Sequence, residues 1–169
     1  MEVGAAIRAR RTHKQYGSEP VSEEVVRALC DLARWAPNHQ LTSPWRFRLL
    51  GPETRAAVDA AVGEKDAAKL RRAPTLVVVS AVLSDDPVLA EEDMHATACA
   101  VYALLLGATE RGLASYWRSP ACFRDDRVHA LLGFVPNERF VGLVHLGPRV
   151  SEPPVKERAP LGDVFSALP

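Results

Sequence analysis

The stretch IRARRTHKQYGSEP, residues 7–20, gathers Arg8, Arg10, Arg11, His13 and Lys14 around one hydroxyl residue, Thr12. Arg10 offers a planar fork of N–H donors, Thr12 a hydroxyl and Lys14 a point charge, so together they could cradle an anion such as a phosphate monoester. The charges alone equally allow a solvated basic turn. The chain has 21 basic and 21 acidic residues and a formal net charge of zero. Such a balance opposes any general attraction to nucleic acid or to an anionic membrane. If the basic cluster binds something, it acts locally, on a small molecule.

Other chemistry lacks its carriers. The sequence contains no GxGxxG, GxxxxGK[ST], GxSxG or HExxH, which removes the dinucleotide-fold, P-loop, serine-hydrolase and zincin readings. Cys30, Cys99 and Cys122 are odd in number and widely spaced, unlike a disulfide framework or a zinc site. They are expected to be reduced thiols in or near the core. His95 and Cys99 stand four apart on a helical pattern and could share a metal, but no second ligand pair accompanies them. No metal is expected.

The elements that must position the cluster follow from patterning. EVGAAIRAR reads as a short helix, and Gly17 with Pro20 turns the chain after it. A helix over about 22–35 starts at Ser22, carries Glu23 and Glu24 in its first turn, and stops before Pro37. WAPNHQLTSPW is bounded by prolines and reads as a structured loop, RFRLLG as a strand, and PETRAAVDAAVGEKDAAKLRRA as one or two helices. PTLVVVSAVL is apolar on both faces, which predicts an interior strand. A long helix over about 89–111 follows, with Met94, Ala98, Val101, Leu104 and Leu105 assigned to one apolar face and Gly112 closing it. LASYW, a helix ended by Gly133, and the strand ERFVGLVHLG complete the pattern, and a Pro-rich extended tail begins at Pro148. These elements predict one α+β domain over residues 1–169, with a central mixed or antiparallel sheet flanked by helices. There is no apolar h-region and no run near the roughly 20 residues of a membrane helix. A cytoplasmic protein without membrane or nucleic-acid partners is therefore expected.

Three motifs in order, RRT with Lys14, WAPNHQLTSPWRF and GLASYWRS, closely resemble the short members of the nitroreductase family of flavin enzymes. The resemblance runs from Arg10 to about Phe165. It implies the nitroreductase fold in an intertwined homodimer with FMN at the interface, NADH or NADPH as electron donor, and a nitroaromatic, quinone or similar small molecule as acceptor in a ping-pong cycle. No protein side chain is then needed as catalytic acid, base or nucleophile, because the flavin N5 carries hydride. An FMN-binding sensor or carrier without turnover is the alternative.

By residue, the resemblance gives Arg10, Arg11, Thr12 and Lys14 to the phosphate and ribityl chain, and Lys156 and Arg158 of PPVKERAP to the phosphate. Trp35 and His39 match positions near the flavin, His39 reaching it across the interface. YWRS, residues 116–119, matches the segment that lines the isoalloxazine, Trp117 packing on or beside the ring and Arg118 and Ser119 giving donors to its polar edge, where donors near N1 and O2 would stabilise negative charge. The family pattern A-P-x-x-x-N-x-Q-P-W is broken by Leu41 in place of Asn and Ser43 in place of Gln, which removes one usual contact to the ring.

Overall fold

Thr75–Val82 (β2), apolar on both faces, is an interior strand in the computed structural model, which describes residues 1–169. It pairs antiparallel with Trp45–Leu49 (β1) on one side and with Glu138–Pro148 (β4) on the other. Leu113–Arg118 (β3) pairs antiparallel with the far side of β4, giving the order β1-β2-β4-β3. Every pairing is antiparallel, so the sheet is not mixed. The β2–β4 register slips between Val79 and Ser80, where Val79 faces Gly142 and Ser80 faces Phe140, as a bulge requires.

Strand alternation sends two sets of side chains to opposite faces. Val77, Val79, Val144 and Leu146 pack with Glu23–Ala33 (α2) and with Pro87–Glu110 (α5), through Val26, Leu29, Ala100, Val101, Leu104 and Ala108. On the other face, Leu76, Val78, Phe140 and Leu143 pack with Pro52–Val62 (α3), Glu64–Leu70 (α4) and the later helix Asp126–Leu132, numbered α6 because it follows α5. Both faces being covered explains why β2 and β4 carry no polar alternation. The short first helix, Val3–Ala9 (α1), also lies against α5.

Local chemistry sets the boundaries. The Ser22 hydroxyl accepts from the Val25 N–H at 3.3 Å, and Asp86 accepts from Val88 and Leu89 at 2.9 and 3.0 Å, so α5 begins two residues earlier than its apolar pattern suggests. Gly63 splits the alanine-rich segment into two helices, while Gly112 and Gly133 follow α5 and α6 with φ of 69° and 65°. On α5, Val101, Leu104 and Leu105 are buried as expected, while Met94 and Ala98, on the same side as Val101 and Leu105, are half-buried at the margin of a core that extends to Ala96, Thr97, Ala100 and Ala108. Of the thiols, Cys30 and Cys122 are half-buried against the two cores, as expected, while Cys99 is exposed.

A buried ion pair ties the far edge of the sheet. Arg48 on β1 grips Glu138 on β4 with two bonds, of 2.5 and 2.9 Å, and donates to Ser80 Oγ at 2.9 Å. The Ser80 hydroxyl donates to the same carboxylate, as does the Val135 N–H at 3.1 Å. Burial pushes the Glu138 carboxyl up, but these hydrogen bonds outweigh it and hold it below the usual carboxylate range.

Candidate functional site

At the end of α1 the chain turns out of the helix at Arg10, whose N–H still donates to Ala6 O at 2.9 Å. Arg11 bends its guanidinium back onto the carbonyls of Arg8 and Arg10, satisfying acceptors the helix end leaves open. Arg10 makes no ion pair and no side-chain hydrogen bond within the chain. His13 tucks inward and is 3% exposed, while Thr12 and Lys14 on either side face out. The loop thus presents Arg10, Thr12 and Lys14 to one side and buries its central imidazole.

The tail completes the opposite wall. Beyond β4 it crosses above the loop, with Ser151 Oγ at 3.5 Å from Gln15 Oε1. The result is an open trough of about 760 Å³ lined by Arg10, Arg11, Thr12, Lys14, Gln15, Tyr116, Ser151, Glu152, Pro153, Pro154, Lys156 and Arg158. Its one carboxylate, Glu152, is taken by Arg149 at 2.5 Å. Arg158 donates to the Lys156 carbonyl at 3.0 Å, which folds the two cations toward one another.

A smaller recess of about 140 Å³ adjoins the trough through the shared Lys14 and Tyr116, and adds Tyr16, Lys69, Arg72, Arg118 and His145. Lys69 is paired with Asp66 at 2.7 Å, while Lys14, Arg72 and Arg118 have no acid partner. His145, opposite Tyr116 in the β3–β4 register, is 2% exposed and lies between the rings of Tyr16 and Tyr116 at 6.4 and 6.0 Å. Burial first, then the guanidinium groups of Arg118, Arg55 and Arg72, push its imidazole down to about 3. It is neutral at any pH of biological interest. The sequence reading gave Tyr116 no role of its own within YWRS and missed Tyr16, Lys69, Arg72 and His145. A period-2 reading of LASYWR would have put Tyr116 and Arg118 on one face. No local signal marks the others.

Of the residues expected at the site, Arg10, Arg11, Thr12, Lys14, Lys156 and Arg158 meet in the trough, and Arg118 lines the recess. Trp117, Ser119, Trp35 and His39 line neither. The Trp117 indole lies on the α2/α5 side of the sheet, with Nε1 donating to the Val141 carbonyl at 3.4 Å. Trp35, 77% exposed, borders an apolar groove of about 540 Å³ with Leu32, Pro37, Ala98, Cys99, Tyr102 and Leu106. His39 Nδ1 stands 2.5 Å from Glu92 Oε2.

The loop carrying His39 is held in an unusual backbone path. Gln40, Leu41 and Ser43 have φ of 55°, 53° and 48°, a left-handed conformation that is costly for side-chain-bearing residues. Asn38 fixes it by accepting from the Ser43 N–H at 2.6 Å, and Thr42 donates to Asp93 of α5 at 2.6 Å. Leu41 is left 84% exposed at the crest.

A four-stranded antiparallel sheet clad in helices on both faces, with a cationic trough built by the first loop and the last segment, defines an α+β protein whose trough has the charge to suit an anionic small molecule. The family model described as "Nitroreductase family" matches residues 7–66 and 53–148, and the chain belongs to that family. YfhC of Bacillus subtilis, which carries the provisional name NAD(P)H nitroreductase, is 30% identical over 178 residues, covering 96% of this chain and 92% of its own. A nitroreductase-like family protein from Bacillus cereus superposes with a TM-score of 0.90 at 25% identity, covering 99% of this chain and 96% of that one. A provisionally named nitroreductase of Desulfovibrio desulfuricans, crystallised in complex with FMN, superposes with a TM-score of 0.82 at 24% identity, covering 99% and 96%.

Proposed function

We propose that residues 1–169 form a single nitroreductase-like domain working as an FMN-dependent NAD(P)H oxidoreductase that reduces nitroaromatic, quinone or similar small acceptors. The observation that carries this reading is the meeting of Arg10, Arg11, Thr12 and Lys14 with Lys156 and Arg158 around one trough. The donor set fits FMN. Guanidinium forks suit a phosphate dianion, while a hydroxyl and an ammonium suit the polyol chain behind it. The volume of about 760 Å³ lies in the range of small-molecule sites.

FMN held there would supply hydride transfer from a nicotinamide donor to a small acceptor in a ping-pong cycle. The chain's own residues bind and orient. Arg10, Lys156 and Arg158 grip the phosphate, and Lys14 spans the trough and the recess. Lys14, Arg72 and Arg118, which have no acid partner, make the recess positive and so favour negative charge on whatever edge of the ligand enters it. His145, kept neutral, adds no competing proton.

We further propose a homodimer in which a second copy covers the groove bordered by Trp35. The exposed Trp35 supports this, as do Val155, Leu161, Val164, Phe165 and Leu168 of the tail, which the chain's own body leaves uncovered. Trp35 and His39 would then serve the neighbouring copy's trough. Three unpaired thiols fit a reducing, cytoplasmic setting.

The test is direct. Purified protein should be yellow, release FMN on heat denaturation, and consume NADH or NADPH only when nitrofurazone or menadione is supplied. A colourless protein that takes up no FMN at micromolar concentration rejects the reading. FMN binding without acceptor-dependent consumption would instead support a carrier or sensor.

A further inference from the structure

The loop that faces the trough is anchored from below by a residue that never reaches it. The His13 N–H donates to Ser115 O at 3.0 Å, and the Ser115 N–H donates back to His13 Nδ1 at 3.4 Å. Loop and β3 are thereby joined twice at one point, immediately before Tyr116. Tyr16 OH adds a bond to the His13 carbonyl at 2.7 Å. For Nδ1 to accept, the ring must be neutral with its proton on Nε2. Nε2, which then carries the ring's one proton, is buried and has no acceptor, so Nδ1 is the ring's only hydrogen-bonded atom.

We propose that His13 is the positioning residue of the cradle: its neutral Nδ1 fixes the loop against β3 and so sets the spacing of Arg10, Thr12 and Lys14 that an FMN phosphate and ribityl chain require. The proposal rests on the FMN reading above. A hydrophobic side chain would fill the same space, but could not accept from Ser115. Protonation turns the acceptor into a donor facing the Ser115 N–H, and the join opens. The groups acting on the ring are Arg149 and Glu152 from the segment after β4, the Ser115 carbonyl from β3, and the Arg11 carbonyl from its own loop. Burial and then Arg149 oppose the imidazolium more strongly than Ser115, Arg11 and Glu152 favour it, so the imidazole lies below its ordinary value.

The test compares wild type, His13→Asn and His13→Leu by FMN affinity and by apo-protein melting between about pH 8 and pH 5. Asn offers Oδ1 as a non-titrating acceptor near the Nδ1 position; Leu offers volume only. At pH 8, His13→Asn should bind FMN within about threefold of wild type and His13→Leu about tenfold more weakly, the cost of one lost hydrogen bond. Below the ring's lowered value, wild type should lose affinity that His13→Asn keeps, the FMN phosphate's own titration near pH 6 being common to both. His13→Asn binding about tenfold more weakly than wild type at pH 8 would overturn the proposal, whether or not His13→Leu folds. So would His13→Leu binding as tightly as wild type. Should none of the three bind FMN at any pH, the functional reading fails, and the join is judged by apo melting alone. There His13→Asn must melt close to wild type and above His13→Leu at pH 8, and the opposite order overturns it.

Discussion

The indole of Trp117 lies across Gly142 on the neighbouring strand so closely that a Cβ added at Gly142 would fall 1.9 Å from Nε1. Gly142 sits where the β2–β4 register slips. A single methyl must therefore push the indole off the sheet and out of the α2/α5 core. Gly142→Ala should lower stability by about 1–3 kcal/mol, the usual cost of overpacking, and shift the tryptophan emission. In a Trp117→Ala background the same change should cost little, a coupling that a double-mutant cycle reads directly. Equal penalties in the two backgrounds would show that the indole does not rest on Gly142.

Arg10 and Arg11 are adjacent in sequence and separate in role. Arg10→Ala should weaken FMN binding by about 1–3 kcal/mol, as for a lost charge-assisted contact, and leave apo melting and riboflavin affinity unchanged, since riboflavin has no phosphate. Arg11 holds the open carbonyls at the end of α1, so Arg11→Ala should also lower apo stability, by about 0.5–1.5 kcal/mol. A reversed pattern would exchange the two assignments.

Acid should loosen the fold well before its carboxylates titrate. His145 is pushed from imidazole's ordinary 6.5 down to about 3, so below pH 6.5 the unfolded chain takes up a proton that the folded chain refuses. The stability is whole above that value and falls with pH, by about 2 kcal/mol at pH 5. Glu138, held low, acts in a lower window: its contribution is present above the usual carboxylate range and lost only beneath it. His145→Gln should flatten the slope between about pH 6.5 and pH 5, measured by urea unfolding. An unchanged slope would place the proton uptake elsewhere.

Glu138→Ala takes the shared acceptor from the half-buried Arg48 guanidinium, the Ser80 hydroxyl and the Val135 N–H and should cost about 1–3 kcal/mol, whereas the joint change Arg48→Met with Glu138→Leu should recover much of that. A penalty below about 1 kcal/mol for Glu138→Ala would mean that Arg48 is hydrated rather than held.

Trp35→Glu should yield monomers in light scattering and make the Cys99 thiol, which borders the same groove, react faster with a thiol reagent. A monomeric wild-type protein, or no change in either measurement, would remove the groove from the assembly.

The sequence made the strongest elements legible because their signals are local. Six apolar residues among the eight of Thr75–Val82 are readable as an interior strand without knowing its neighbours, and glycines closed α5 and α6 where expected. The first wall of the trough was legible because Arg10, Arg11, Thr12 and Lys14 are nearly contiguous and match a family motif. The recess was not. Tyr16, Lys69, Arg72, Tyr116 and His145 come from separate elements brought together by the β3–β4 register and by the end of α4, and no spacing rule spans such distances. The left-handed path at Gln40, Leu41 and Ser43 was invisible for another reason: it is imposed by Asn38 and Asp93, not by glycine. Trp117 was tied to the flavin by motif alone, while strand alternation with Tyr116 carries it to the opposite face.

The trough takes one wall from residues 10–15 and the other from residues 151–158, with the whole sheet between them in the chain. During synthesis, then, the first wall emerges early and stays without its opposite until every strand has been made. Ligand capture becomes a late event in the life of each molecule, and it reports that the sheet beneath has already been assembled.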